Sequence, residues 1–267
     1  MDVRLLLIDA QNDFCDPNNG ALFVPGADDD MRRVADMIKR LGKKLNRIHA
    51  TLDEHHNIAI FHPIFWKNSK GDQPAPFTII TADDIKNSVW MTTHPGLQQY
   101  ALNYAETLEN GKRYPLCIWP VHCLIAQWGS LIFPPVVQAF NEWEIKYFKM
   151  VEYVSKGSNY RTEHYSAVMA EVPDPEDPIN TNLNQGLIKT LEEADMIALA
   201  GEAKSHCLAN TVRDIANNFS DDQYIKKLYL LKDATSNVPT FEKMGDDFEK
   251  EMVSRGMNIT TTADFLA

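Results

Sequence analysis

The chain has 267 residues, of which 44% are hydrophobic and 24% charged, and a formal net charge of −11. That size and balance fit a folded chain with a sizeable core. The acidic balance argues against a general binder of nucleic acid or anionic membranes, since both need clustered Lys and Arg, and no apolar run approaches the roughly 20 residues of a membrane span.

Met1-Asp2-Val3-Arg4 leads at once into Leu5-Leu6-Leu7-Ile8. No long apolar leader region or small-residue cleavage site is visible, so no signal peptide is expected. The 5–8 run predicts a buried parallel strand with Asp9 at its C-terminal end. Residues 28–47 read as a helix: Asp28, Asp29 and Asp30 favour the N-terminal dipole, and Met31, Val34, Ile38 and Leu41 fall at helical spacing. A strand is predicted over 48–52, running into Asp53. The stretch 67–116 is broken by Gly71, Pro74, Pro76, Pro95 and Gly96, with a helix expected at 97–109. It reads as an excursion that covers the site rather than a second domain, leaving 1–267 as one domain.

Residues 144–154 alternate and predict a strand. A Pro/Asp-rich loop fills 171–182 and a helix follows at 183–194. Then come a strand at 195–200 ending at Gly201, a helix at 207–219, a strand at 225–231, a helix at 240–254 and a last strand at 257–261. Strands alternating with helices imply an α/β fold: three layers, a parallel sheet of about six strands with helices on both faces. Sites in such sheets form beyond the carboxyl ends of the strands.

The polar residues at those ends carry the candidate chemistry. Cys207 follows a strand and a tight segment and opens a helix. There the helix N-terminus favours thiolate, and the backbone N–H groups of Ala203 and Cys207 could hold an oxyanion. Asp9, poorly solvated at a core strand end, is a candidate proton acceptor. A lysine past the strand before residue 157 could hold a thiolate or a carboxylate, and spacing does not choose between Lys156 and Lys149. The bland alternatives are a structural cysteine, a capping aspartate and an exposed lysine. Asp53, His55, His62 and His122 offer carboxylate and imidazole ligands suited to Zn, Fe or Mn. Cys15, Cys117, Cys123 and Cys207 form no C-x-x-C pair, which predicts reduced thiols and a cytoplasmic setting.

In chain order, these pieces resemble the nicotinamidase/isochorismatase-like cysteine hydrolases over nearly the whole chain outside 67–116. Ile8-Asp9-Ala10-Gln11-Asn12-Asp13-Phe14 is similar to the family's opening motif. Thr51-Leu52-Asp53-Glu54-His55 and Trp119-Pro120-Val121-His122-Cys123 resemble its metal-ligand motifs. Lys156-Gly157, with Thr162 to Ala167 downstream, resembles its lysine motif, and Ser205-His206-Cys207 stands at the nucleophile.

The resemblance implies the isochorismatase-like hydrolase fold, a catalytic set of Cys207, Asp9 and Lys156 (not Asp13 or Lys149), and a cis peptide between Glu202 and Ala203. It implies a divalent metal, Zn before Fe or Mn, on Asp53, His55 and His122, with His62 as a further candidate. No organic cofactor is implied. Phe14, Trp119 and Tyr165 would line a pocket for a small amide, nicotinamide first, and copies of the chain would associate. Two departures stand out: the 67–116 segment lengthens the chain, and His62 sits two residues farther from His55 than the third ligand of some members. A metal-independent N-carbamoyl or ureido amide hydrolase and a catalytically silent binding protein stay open as alternatives.

Overall fold

The computed structural model describes residues 1–111 and 114–267. Lys112 and Arg113, inside the expected cover segment, lie outside the described residues. Six strands form one sheet: β1 Val3–Ile8, β2 Arg47–Asp53, β3 Val151–Lys156, β4 Met196–Gly201, β5 Leu228–Leu231 and β6 Asn258–Thr260. Their order is β6-β5-β4-β1-β2-β3 and every pairing is parallel. All six residues of β1 are buried, as a strand covered on both faces must be.

The main helices are α1 Ala27–Leu41, α2 Gln98–Gly111, α3 Pro134–Tyr147, α4 Gln185–Glu192, α5 Ala209–Asn218 and α6 Glu242–Ser254. From β1 the chain steps to β2 and β3 in one direction. From β4 it steps to β5 and β6 in the other. Right-handed crossovers therefore put α1 and α3 on one face and α5 and α6 on the opposite face; α1 packs on α3, and α5 on α6. The reversal falls between β1 and β4, so the carboxyl ends of those strands open onto the switch point where sites form. Gly201 lets them converge: its φ is 117°, and a Cβ there would collide with the backbone of Ile8. No helix among the described residues is long and apolar enough to cross a membrane.

Three expectations shift. The helix expected over 28–47 ends at Leu41, where Gly42 takes a positive φ of 53° and returns its N–H to Ile38 O. The strand expected over 144–154 is wrong in its first half. Helix α3 runs to Tyr147, Phe148 terminates it in the left-handed region with its N–H on Glu144 O, and β3 starts only at Val151. The missed signal is Pro134-Pro135, prolines suited to a first helical turn. The strand expected from 225 begins at Leu228, because 222–227 form a 3₁₀ turn.

Within 67–116, Trp66–Lys67 pairs antiparallel with Met91–Thr92, and Ile79–Ile80 with Leu116–Cys117. Helix α2 anchors this stretch through Tyr104, whose hydroxyl accepts the Glu163 N–H at 2.9 Å. Phe77 meets Trp119 edge to face, and Tyr114 packs on Tyr165 and His206. The segment thus backs the aromatic wall of the cavity described next.

Candidate active site

The opening motif divides its polar residues by task. Asp9 stands just past β1, fully buried, with a φ of 45°. Its N–H donates to Thr51 Oγ1, and the Thr51 hydroxyl donates back to Asp9 Oδ1 at 2.5 Å. Gln11 clamps the end of β2: its Oε1 accepts the Asp53 N–H at 2.8 Å and its Nε2 donates to Asp53 O at 2.7 Å. Asp13 accepts N–H bonds from Ala21 and Cys123, so it ties down the loop that carries His122. Asp9, not Asp13, lies beside Lys156.

Asp53 and Lys156 are paired residues of the β2–β3 ladder. Register alone brings the lysine to the site. Its Nζ lies 2.8 Å from Asp53 Oδ1, 3.0 Å from Asp9 Oδ2, 2.9 Å from His164 O and 3.7 Å from Cys207 Sγ. Burial pushes the ammonium's pKa down, but Asp53, Asp9 and Cys207 together lift it well above the ordinary value. Lys149 instead donates to Leu45 O and lies over the Trp143 ring, away from the site.

Cys207 sits in a wide π-type turn, Lys204–Leu208, that leads into α5. The Glu202–Ala203 peptide before it is cis. The thiol does not behave as a helix N-terminus alone would dictate. Burial pushes its pKa well above the ordinary value; Lys156 opposes this, while Asp9, in hydrogen-bond reach, adds to it. The resting pair is therefore a neutral thiol beside a carboxylate and an ammonium. Burial also raises the Asp9 carboxyl, with Lys156 pulling the other way. A raised carboxyl next to a raised thiol is a proton acceptor better matched to its task than an exposed aspartate.

Asp53, His55 and His122 offer ligand atoms all within 4.8 Å of one another. His55 Nε2 is 2.8 Å and His122 Nε2 3.6 Å from Asp53 Oδ2. The far nitrogens are tethered: His55 Nδ1 to Gly157 O and His122 Nδ1 to Pro120 O. Each tether orients its ring so that Nε2 turns towards Asp53 Oδ2, where the two imidazoles and the carboxylate could share a metal. His62 repeats the pattern, with Nδ1 on Asn57 O and a buried Nε2 that has no hydrogen-bond partner among the described residues. Its ring lies 5.8 Å from that of His55 and 5.7 Å from that of His122. Burial, then His122 and His55, push its pKa down to about 3, so it is neutral. The donor set fits a divalent cation. Asp53 is held well below the carboxylate range; burial opposes this, and His55 and Lys156 outweigh it.

Cys207, Asp53 and His122 open on one cavity, whose lining also includes Phe14, Trp119, Tyr165 and Ala203. The structure therefore brings the expected catalytic, metal-ligand and pocket residues to one place, with His62 just behind them. Sequence reasoning missed five residues of the lining: the apolar Leu22, Val24 and Val238, and the polar Glu163 and His206. Glu163 is buried; burial raises its pKa, and His55 opposes this. His206 packs among Tyr114, Trp119, Tyr165 and Phe241. Its place before Cys207 was a signal; Glu163 gave none beyond adjacency to the expected lysine motif.

No family model matches the chain. Among characterised proteins, the nicotinamidase of Saccharomyces cerevisiae is 24% identical over 255 residues, 96% of this chain and 97% of that protein. Among solved structures, yeast nicotinamidase bound to the inhibitor nicotinaldehyde superposes with a TM-score of 0.65 at 21% identity, covering 97% of this chain and 99% of that one. The Acinetobacter baumanii nicotinamidase/pyrazinamidase gives 0.65 at 19% identity, with 99% and 98% covered. The Pyrococcus horikoshii pyrazinamidase in complex with zinc gives 0.55 at 20% identity, with 98% and 99% covered. In fold and in full-length likeness, the chain is similar to these nicotinamidases and pyrazinamidases.

Proposed function

We propose that the protein is an amidohydrolase that converts nicotinamide, or a close small aromatic amide, to the acid and ammonia. The observation that carries this reading is the convergence of Cys207, Asp9 and Lys156 beside the Asp53, His55 and His122 ligand set, with Cys207, Asp53 and His122 opening on one cavity. Asp9 takes the thiol proton, and Lys156 steadies the resulting charges. Cys207 Sγ attacks the amide carbonyl, and the oxyanion rests on the N–H groups of Ala203 and Cys207. Asp9 returns the proton as the C–N bond breaks and ammonia leaves. Asp9 then accepts a proton from the water that cleaves the thioester. Phe14, Trp119 and Tyr165 flank the ring, and the Trp119 indole N–H donates to the Tyr165 hydroxyl at 3.1 Å, which fixes both walls.

Asp53, His55 and His122, with His62 as a further candidate, would hold a divalent ion, zinc first. A bound ion supplies a Lewis-acidic point for the ring nitrogen of the substrate. Four free, buried cysteines support a reducing, cytoplasmic setting. Exposed Trp128 and Leu131, in the turn before α3, with Ile145 of α3 and Tyr153 of edge strand β3, support association between copies.

The deciding experiment is ammonia release from nicotinamide by the purified protein beside Cys207→Ala, with bound metal quantified. Release lost in the variant, with metal retained in both, is expected. A folded, metal-loaded wild type that releases no ammonia rejects nicotinamide as substrate.

A further inference from the structure

The turn that carries Ala203 is stitched to residues 234–236 at four points. Gly201 N–H donates to Ala234 O at 2.9 Å, and the Thr235 hydroxyl donates to Gly201 O at 2.6 Å. Ser236 N–H donates to Glu202 Oε2 at 3.1 Å, and Lys204 N–H donates to Ser236 O at 2.8 Å. Three of these bonds are backbone or hydroxyl contacts. The fourth is made by a carboxyl group with no exposed surface, beside the residue whose N–H is assigned to the oxyanion.

Among the described residues, Glu202 has no ion-pair partner. Asp30 of α1, itself buried, is within hydrogen-bond reach of it. Asp30 is already served by two donors, Arg33 Nη2 on Oδ1 at 2.5 Å and the Ser236 hydroxyl on Oδ2 at 2.6 Å. Both of its oxygens are therefore already acceptors. Glu202 Oε1 is buried and receives no hydrogen bond among the described residues. A proton on that oxygen, donated to Asp30, satisfies both carboxyls at once; without it two buried anions would face each other. Burial first and Asp30 second push the Glu202 carboxyl well above its ordinary range, and Arg33 opposes this. The other titratable group beside it is Cys15, whose thiol is pushed up by burial and then by Glu202.

We propose that Glu202 is a neutral acid that shares its proton with Asp30 and acts as a positioning residue, holding the turn that presents Ala203 and Cys207 to the substrate. It touches no reacting atom and acts through the backbone it fixes. The kinetic half of this inference rests on the proposed amidohydrolase function; the protonation half does not.

The test compares wild type with Glu202→Gln and Glu202→Met. Gln reproduces the neutral acid at every pH, with an N–H for Asp30 and an oxygen for Ser236. Met has similar bulk and neither group. A carboxyl whose pKa rises on folding stabilises the fold below its ordinary pKa, and that contribution fades as pH climbs towards the folded value. Thermal melting followed against pH should therefore show wild type falling behind Glu202→Gln as pH rises from the ordinary carboxylate range. Parallel curves would overturn the shared proton.

In ammonia release, Glu202→Met should lose about 10- to 100-fold in kcat at unchanged KM, the scale of a misplaced catalytic group. Glu202→Gln should recover most of it. A Met variant as fast as wild type, or a Gln variant as slow as Met, would overturn the positioning role. Should wild type itself release no ammonia, the substrate assignment fails, and the melting curves still decide the protonation of Glu202.

Discussion

Gly157 offers a sharp test of how tightly the candidate metal site is built. It follows Lys156 with a φ of 84°, and its carbonyl accepts the His55 Nδ1–H while its N–H donates to His164 Nδ1. A Cβ at this position would lie 2.6 Å from His55 Cε1 and 2.8 Å from both His55 Nδ1 and Asp53 Oδ1, where ordinary contact begins near 3.4 Å. Neither neighbour can retreat, because His55 and Asp53 are buried, and Asp53 is held by Lys156 and by the Gln11 clamp. Left-handed backbone costs about 1–2 kcal/mol for a residue with a Cβ, and overpacking adds about 1–3 kcal/mol. Gly157→Ala should thus lose roughly 2–5 kcal/mol of stability, short of unfolding a domain of ordinary stability. The displaced ligands should cost about 10- to 100-fold in metal affinity, the usual scale for a disturbed supporting shell. Denaturant melts and metal titration of the purified variant read the two quantities separately. A Gly157→Ala protein with wild-type metal affinity would refute the claim that this glycine sets the ligand geometry.

Other outcomes follow from the same geometry. Asp9→Asn should fold and keep its metal but lose about 10²- to 10⁴-fold in kcat, the range for a lost general base, measured by ammonia release. Lys156→Met strands Asp9 and Asp53 together in the core and should destabilise the protein by about 3–5 kcal/mol in urea unfolding. Asp9 must be ionised to accept the thiol proton, and its pKa is raised, so kcat/KM should fall with acidification through a midpoint above the ordinary aspartate value. An acid limb below that value contradicts its role as base. His122→Ala should lose bound metal in elemental analysis while Cys207 still reacts with iodoacetamide, separating the ligand set from the nucleophile.

Much of the frame was legible because its signals are local. The apolar run 5–8, the aspartates before Met31, and Gly201 after the 195–200 run each announce an element from their own neighbourhood. The α3 region misled, because 144–154 alternates in polarity while Pro134-Pro135 had already started a helix that runs to Tyr147. The site was legible only in outline. Lys156 is distinguished from Lys149 by its ladder pairing with Asp53, a tertiary fact that local spacing does not encode. The thiol's environment was read from a helix N-terminus, whereas burial beside Asp9 dominates it. Glu202 carried no signal at all, since its partner Asp30 lies far away in the chain, in a first turn where acids are expected for another reason.

The single ammonium of Lys156 serves two anions, one the proposed base Asp9 and one in the candidate ligand cluster, Asp53. The two halves of the site therefore draw on one positive charge and cannot be altered independently. Whatever neutralises Asp53 frees that charge for Asp9, and whatever removes Asp9 leaves it wholly to Asp53. Changes made in the two halves should combine non-additively in a double-mutant cycle. A drift in metal preference among related sequences would then be tied, through this one side chain, to a drift in the acidity of the base.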